Sequence, residues 1–167
     1  MTEETGQAEP TEGLETENED HVSIGLRLPS LAEIASTLDE AGIDYIPLLD
    51  EDRLYVTAFA FNFWIRIHEQ SGAVFLTTNW DLDADANELE LLRHVNRLND
   101  GFPLVQFAWD EEGNRLNGHA WLSARGGIAP AVLIRTAIRF ASIFKEALDM
   151  TCSAGFAGDE NSMATIN

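Results

Sequence analysis

The sequence predicts an α+β domain in which an antiparallel sheet of five to six strands is flanked by helices, in the order α-β(3-4)-α-β-β-α. Three observations predict it. Apolar residues recur at helical spacing in three segments that open on start signals, and the segments between them alternate in steps of two. The alternating runs are joined by turns too short for parallel crossovers, so neighbouring strands must run antiparallel. The chain has 167 residues and 45% hydrophobic content, enough for one core without disulfides.

The first helix is expected over residues 30 to 41. Ser30 and Glu33 form a capping box, Leu31, Ile34, Ala35 and Leu38 share a face, and Gly42 ends the turn. A short apolar stretch at residues 45 to 49 leads through Asp50, Glu51 and Asp52 into strands at 53 to 60, 61 to 69 and, after Ser71 and Gly72, 73 to 80. Asp85 with Glu88 offers a second cap. Leu89, Leu92, Val95 and Leu98 then mark a helix that stops near Asn99, Asp100 and Gly101. Two further strands, 104 to 109 and 115 to 123, are joined across the turn from Asp110 to Asn114. Gly126 and Gly127 break the chain, and Pro130 opens a last helix that runs to about Asp149.

Tails bracket this domain. Residues 1 to 27 hold Glu3, Glu4, Glu9, Glu12, Glu15, Glu17, Glu19 and Asp20, with no basic residue before Arg27. So little apolar mass cannot offset the entropy of ordering, and the segment is expected to be disordered. The folded domain is expected over 28 to 150, followed by a flexible tail at 151 to 167.

The chain carries 29 acidic against 10 basic residues, a net charge of -19. Nucleic acid requires a clustered basic surface, so it is excluded as the expected partner. No apolar run is long enough for a membrane span. The start, Thr2, Glu3, Glu4 and Thr5 after Met1, lacks the basic and apolar regions of a signal peptide. One cysteine, Cys152, builds neither an internal disulfide nor a cysteine metal site. The expected location is cytoplasmic.

The motifs that would carry chemistry fall short. Asp81, Asp83 and Asp85 suggest a calcium loop, yet Ala86 and Leu92 stand where that loop needs glycine and a bidentate glutamate. These carboxylates read instead as partners of a helix N-terminus. His21, His68, His94 and His119 lack zinc-site spacing, and neither Ser123 nor Ser142 has a locally readable base. Gly126 and Gly127 lack the spacing and lysine of a phosphate loop. The pairs Arg93 with Arg97 and Arg135 with Arg139 read as solvated helix faces. No catalytic residue, metal ligand or cofactor is expected.

The strands hold the better clue. Phe61, Phe63, Ile65 and Ile67 point one way, and Asn62, Trp64, Arg66 and His68 the other. In the last strand Leu116, Gly118, Ala120 and Leu122 alternate with Asn117, His119, Trp121 and Ser123. Three helices can cover one side of such a sheet. The other side, bearing Trp64, Arg66, His68, His119 and Trp121, is then either an open protein-binding surface or is covered by a helix or a tail.

The final helix carries two apolar stripes. Ile134, Ala137, Ile138, Ala141, Phe144 and Leu148 form one, and Leu133, Phe140, Ile143 and Ala147 lie alongside it. The second stripe, through Leu133, Phe140 and Ile143, is expected to meet either a neighbouring helix or a second copy in a homodimer.

Several local strings in this order resemble the YbjN family of bacterial sensory transduction regulators. They are Ala41, Gly42 and Ile43; the strand from Phe63 to Ile67; the stretch from Val95 to Asn99; the turn from Asp110 to Gly113; and Gly126, Gly127 and Ile128. The resemblance implies a fold similar to the type III secretion chaperones, which bind extended segments of other proteins and commonly dimerise. It implies no catalytic residue. The function expected is that of a non-catalytic, protein-binding or chaperone-like regulator. The alternative is an enzyme or small-ligand-binding domain with a dispersed pocket.

Overall fold

A computed structural model of the chain describes residues 27–158, in which helix α1 (Leu31–Glu40) is the first element. The expected acidic tail, with His21, lies outside the described residues up to Arg27, as do residues 159–167. At Ser30 the capping box forms as expected: the hydroxyl accepts from the Glu33 backbone amide at 3.2 Å, and the Ser30 amide donates to the Glu33 carboxylate at 2.7 Å. The Ser30 amide and hydroxyl, both donating to the carboxylate, and then Arg27, hold the Glu33 carboxyl down to about 2. The helix closes on Gly42, at φ +66°, where the amides of Gly42 and Ile43 reach back to the carbonyls of Asp39 and Leu38.

Six strands follow: β1 (Tyr45–Leu48), β2 (Arg53–Val56), β3 (Phe63–His68), β4 (Ala73–Asp81), and, after α2 (Glu88–Gly101), β5 (Gln106–Asp110) and β6 (Arg115–Ser123). They form one antiparallel sheet in the order β1-β2-β3-β4-β6-β5. Helix α3 (Pro130–Ser153) completes the chain order. Pro47 sits in the edge strand β1, where a missing amide costs no inner ladder bond.

The helices lie on one side of the sheet. Phe140 of α3 packs edge-on against Phe63 at 5.3 Å between centroids, and Phe144 lies against Phe61 and Phe107. Gly118 lets Phe144 approach the strand: a Cβ there would fall 2.4 Å from the Phe144 ring. Ile34 and Leu38 of α1 and Leu91, Val95 and Leu98 of α2 join the same core. Asn99 of α2 ties the helix to β5, accepting from the Phe107 amide at 2.7 Å and donating to its carbonyl at 2.9 Å.

The structure corrects four details. Strand β2 stops at Val56 because the chain then loops, turning Phe59 onto Phe63 and Phe61 onto Trp80. Helix α2 is capped by Asn87, whose side chain accepts from the Glu90 amide, and not by Asp85. Its buried face is Leu91, His94, Val95 and Leu98, leaving Leu89 and Leu92 exposed. A strict three-residue spacing slips by about 60° per step, so Leu89 lies half a turn away from Leu98.

The third correction concerns residues 151–158, read as the start of a flexible tail. Helix α3 runs to Ser153, Thr151 is fully buried, and Gly155 at φ +78° lets the Phe156 amide return to the Thr151 carbonyl. Phe156 then packs on His94, and Ala157 bridges to Leu82. The fourth concerns Leu133, Phe140 and Ile143, proposed for self-association. They are 3%, 1% and 6% exposed within the single chain. The second stripe is met by the chain's own elements: Leu133 shares a hollow with Ile34 of α1, and Phe140 meets Phe63 of the sheet.

Candidate functional site: the uncovered sheet face

Strand pairing decides which side chains share the second face. Arg53, Arg66, Phe75 and Trp121 form one transverse row, and Tyr55, Trp64, Thr77, His119 and Gln106 form the next. His68, Ala73 and Ser123 make a third. The five residues expected from the sequence, Trp64, Arg66, His68, His119 and Trp121, therefore lie on one face. Among the described residues, no helix packs on it.

The face is a stacked layer. Phe75 lies 4.0 Å from Trp121 between centroids, with the Arg66 guanidinium 4.7 Å above its ring. His68 meets Trp121 edge-on at 5.4 Å, and His119 lies 5.6 Å from Phe75. On the neighbouring strands Tyr55 stands 5.3 Å from Trp64, and Arg53 lies 5.3 Å over the Trp64 ring. This packing leaves Tyr55, Trp64 and Phe75 only 4%, 8% and 8% exposed without joining the helix-side core. Trp121, at 47%, and the exposed Arg66 present the surface to solvent, with His68 and His119 half-buried between.

Trp64 thus supports the layer from below. Arg53, Tyr55 and Phe75 belong to the same layer and escaped the sequence reading. Phe75 sits in the unbroken apolar run from Ala73 to Leu76, where alternation gives no sidedness.

His119 Nε2 donates to the Gln106 side-chain oxygen at 3.0 Å, and burial pushes the His119 imidazole below its ordinary range. His68 Nδ1 lies 2.9 Å from Ser71 Oγ and also accepts from the Ser71 amide. This Ser–His contact closes the β3–β4 turn. Among the described residues no carboxylate bonds His68 Nε2, so the pair lacks the third group that orients a catalytic base. The acidic run is spent locally as well: Asp81 pairs with Arg115 at 2.8 Å, and Asp83 accepts from the Asp85 amide. No group of three or more histidine, cysteine, aspartate or glutamate side chains among the described residues could hold a metal ion. No helix among them is long and apolar enough to cross a membrane.

Beside Trp121 the face turns into an open groove of about 720 Å³ between β6, the 104–105 segment and α3. Its walls are mainly apolar: Leu104, Trp121, Leu122, Val132 and Ile138, with Phe140 and Ile143 among its lining.

In this two-layer α+β protein the polar-aromatic groups lie on an open sheet face and not in an enclosed cleft. The chain belongs to the YbjN family: the model of that family, described as "Putative bacterial sensory transduction regulator", matches residues 30–150. The crystal structure of YbjN from E. coli, described as "a putative transcription regulator", is similar to this one with a TM-score of 0.69 at 14% identity, covering 80% of this chain and 99% of that chain. At that identity the likeness is one of fold. No curated protein sequence matches the chain.

Proposed function

We propose that the protein is a non-catalytic regulator that works in the cytoplasm by binding another protein through the uncovered face of its sheet. The observation that carries this reading is the stacked layer around Phe75, in which Arg66 and Trp121 reach solvent above buried aromatic rings. Tryptophan and arginine over a rigid apolar base have the composition of binding hot spots. Their rotamers are already restricted by mutual packing, which lowers the entropy lost on association. The net charge of -19 disfavours nucleic acid as the partner. The type III secretion chaperone fold that the sequence resemblance implies would likewise be an analogy of fold and not of function.

The test is affinity capture from the native cell with the full chain, beside an Arg66→Glu, Trp121→Asp variant. A partner retained by the parent and lost by the folded variant supports the reading. Identical sets of captured proteins contradict it.

A further inference from the structure

Strand β6 is longer than its neighbour β5. The pairing between them ends at Gln106 with His119, because the chain before β5 turns away where the Val105 amide donates to the Phe102 carbonyl. Residues 120–123 remain paired to β4 on their other side. Among the described residues, no strand meets their outward edge. About 13 Å of ordered strand edge is therefore open, and it borders the groove lined by Leu104, Leu122, Val132 and Ile138. An edge of this kind is a template for an added strand.

The charge beside it is unusual for this molecule. Arg135 and Arg139 both line the groove, are exposed and lie one helical turn apart on α3. Among the described residues neither makes an ion pair, and no acidic residue stands three or four places from either on the helix. In a chain of net charge -19, the groove carries two uncompensated positive charges. Their separation along α3 is about 6 Å, close to the spacing of every second residue on a strand.

We propose that this groove binds an extended, acidic segment of a partner protein by strand addition to β6 at residues 120–123. Apolar side chains of the segment enter between Leu104, Val132 and Ile138, while its carboxylates reach Arg135 and Arg139. The segment's backbone supplies the missing ladder bonds, the apolar side chains supply affinity, and the arginines select against a basic sequence. A second copy of this chain fits less well, since two-fold pairing of β6 edges would set the same arginines against one another. This inference deepens the proposed function by naming a partner class, and it uses an edge distinct from the sheet-face residues Arg66 and His68.

The test is selection of a displayed library of short random peptides on the full chain and on an Arg135→Glu, Arg139→Glu variant. Both substituted side chains are exposed, and retained folding is checked by circular dichroism. The parent should select acidic peptides with alternating apolar residues, and the variant should shift the selection to basic ones. A synthetic copy of a selected peptide should protect the amides of residues 120–123 from hydrogen exchange. N-methylation at alternate positions of that copy should weaken it about tenfold or more. No enrichment on the parent, or a selection unchanged by charge reversal, overturns the proposal. So does binding that appears only after residues 1–26 are deleted, which would assign the groove to the chain's own acidic segment. So does a parent that is dimeric and blind to peptide until diluted to monomer. If capture from cells remains sensitive to Arg66→Glu while the library fails, the sheet face stands and the groove falls.

Discussion

His94 is the buried side chain whose chemistry is most constrained. Its Nε2 lies 2.9 Å from Thr151 Oγ1, and that hydroxyl already donates to the Ala147 carbonyl at 2.8 Å. Thr151 Oγ1 must therefore accept, which places a proton on His94 Nε2. Burial first, and then the charge of Arg97, hold the imidazole below its ordinary range. The unfolded chain thus takes up a proton before the folded one does, and stability falls as pH drops below about 6.5. Thermal melts between pH 7.5 and 5 should show this loss in the parent and a shallower slope in His94→Gln; His119, also lowered by burial, leaves a residual slope. An identical slope in the variant would contradict the assignment.

Gly118 is equally constrained, by sterics. A methyl group there meets the Phe144 ring well inside contact distance, and Phe144 is fully buried with other rings around it. Gly118→Ala is expected to cost about 1–3 kcal/mol of unfolding free energy in urea titration. A neutral result would mean that α3 is free to withdraw from the sheet. Such positions are invisible in sequence: a glycine in a strand signals close approach without saying by what.

At the scale of elements, legibility follows how local the determinant is. The cap at Ser30, the stop at Gly42 and the hairpins at Gly72 and Asp110 are set by residues within a few places of one another, and each was readable. The same motif ends α3, with Gly155 and Phe156 repeating the roles of Gly42 and Ile43, yet the small and polar residues around it masked the signal. Phe156→Ala should therefore destabilise the fold by about 3 kcal/mol, since it empties a site packed on His94. A change below about 0.5 kcal/mol would return the segment to the status of a loose end.

Which face of a helix is buried depends on distant partners. The apolar residues of α2 fit two faces, and only the contacts with β5 and Phe156 choose Leu91 over Leu89. Likewise α3 shows two stripes because Leu133 borders a hollow shared with Ile34 of α1 while the sheet takes Phe140. The second stripe is the imprint of the chain's own packing. For the sheet, alternation in β3 and β6 revealed the five face residues, whereas the continuous apolar run of β4 hid Phe75 at the centre of the layer.

For the whole molecule, charge and asymmetry dominate. A net charge of -19 over 167 residues produces self-repulsion that opposes folding and that salt screens. The melting temperature should rise between about 10 mM and about 150 mM sodium chloride, where the screening length falls from roughly 30 to 8 Å. A falling or constant melting temperature would show that specific ion pairs outweigh the net field.

The asymmetry is the division of the sheet into a helix-covered side and an aromatic side held together by its own stacking. This second side is the surface proposed to bind another protein. A photo-crosslinking amino acid placed at Trp121 or His68, compared in the living cell with one at Ala32 or Arg93 on the exposed helix side, tests it most directly. Adducts of defined mass from the sheet positions, absent from the helix positions, are the predicted result. Adducts confined to Ala32 or Arg93, with none from Trp121 or His68, would contradict it.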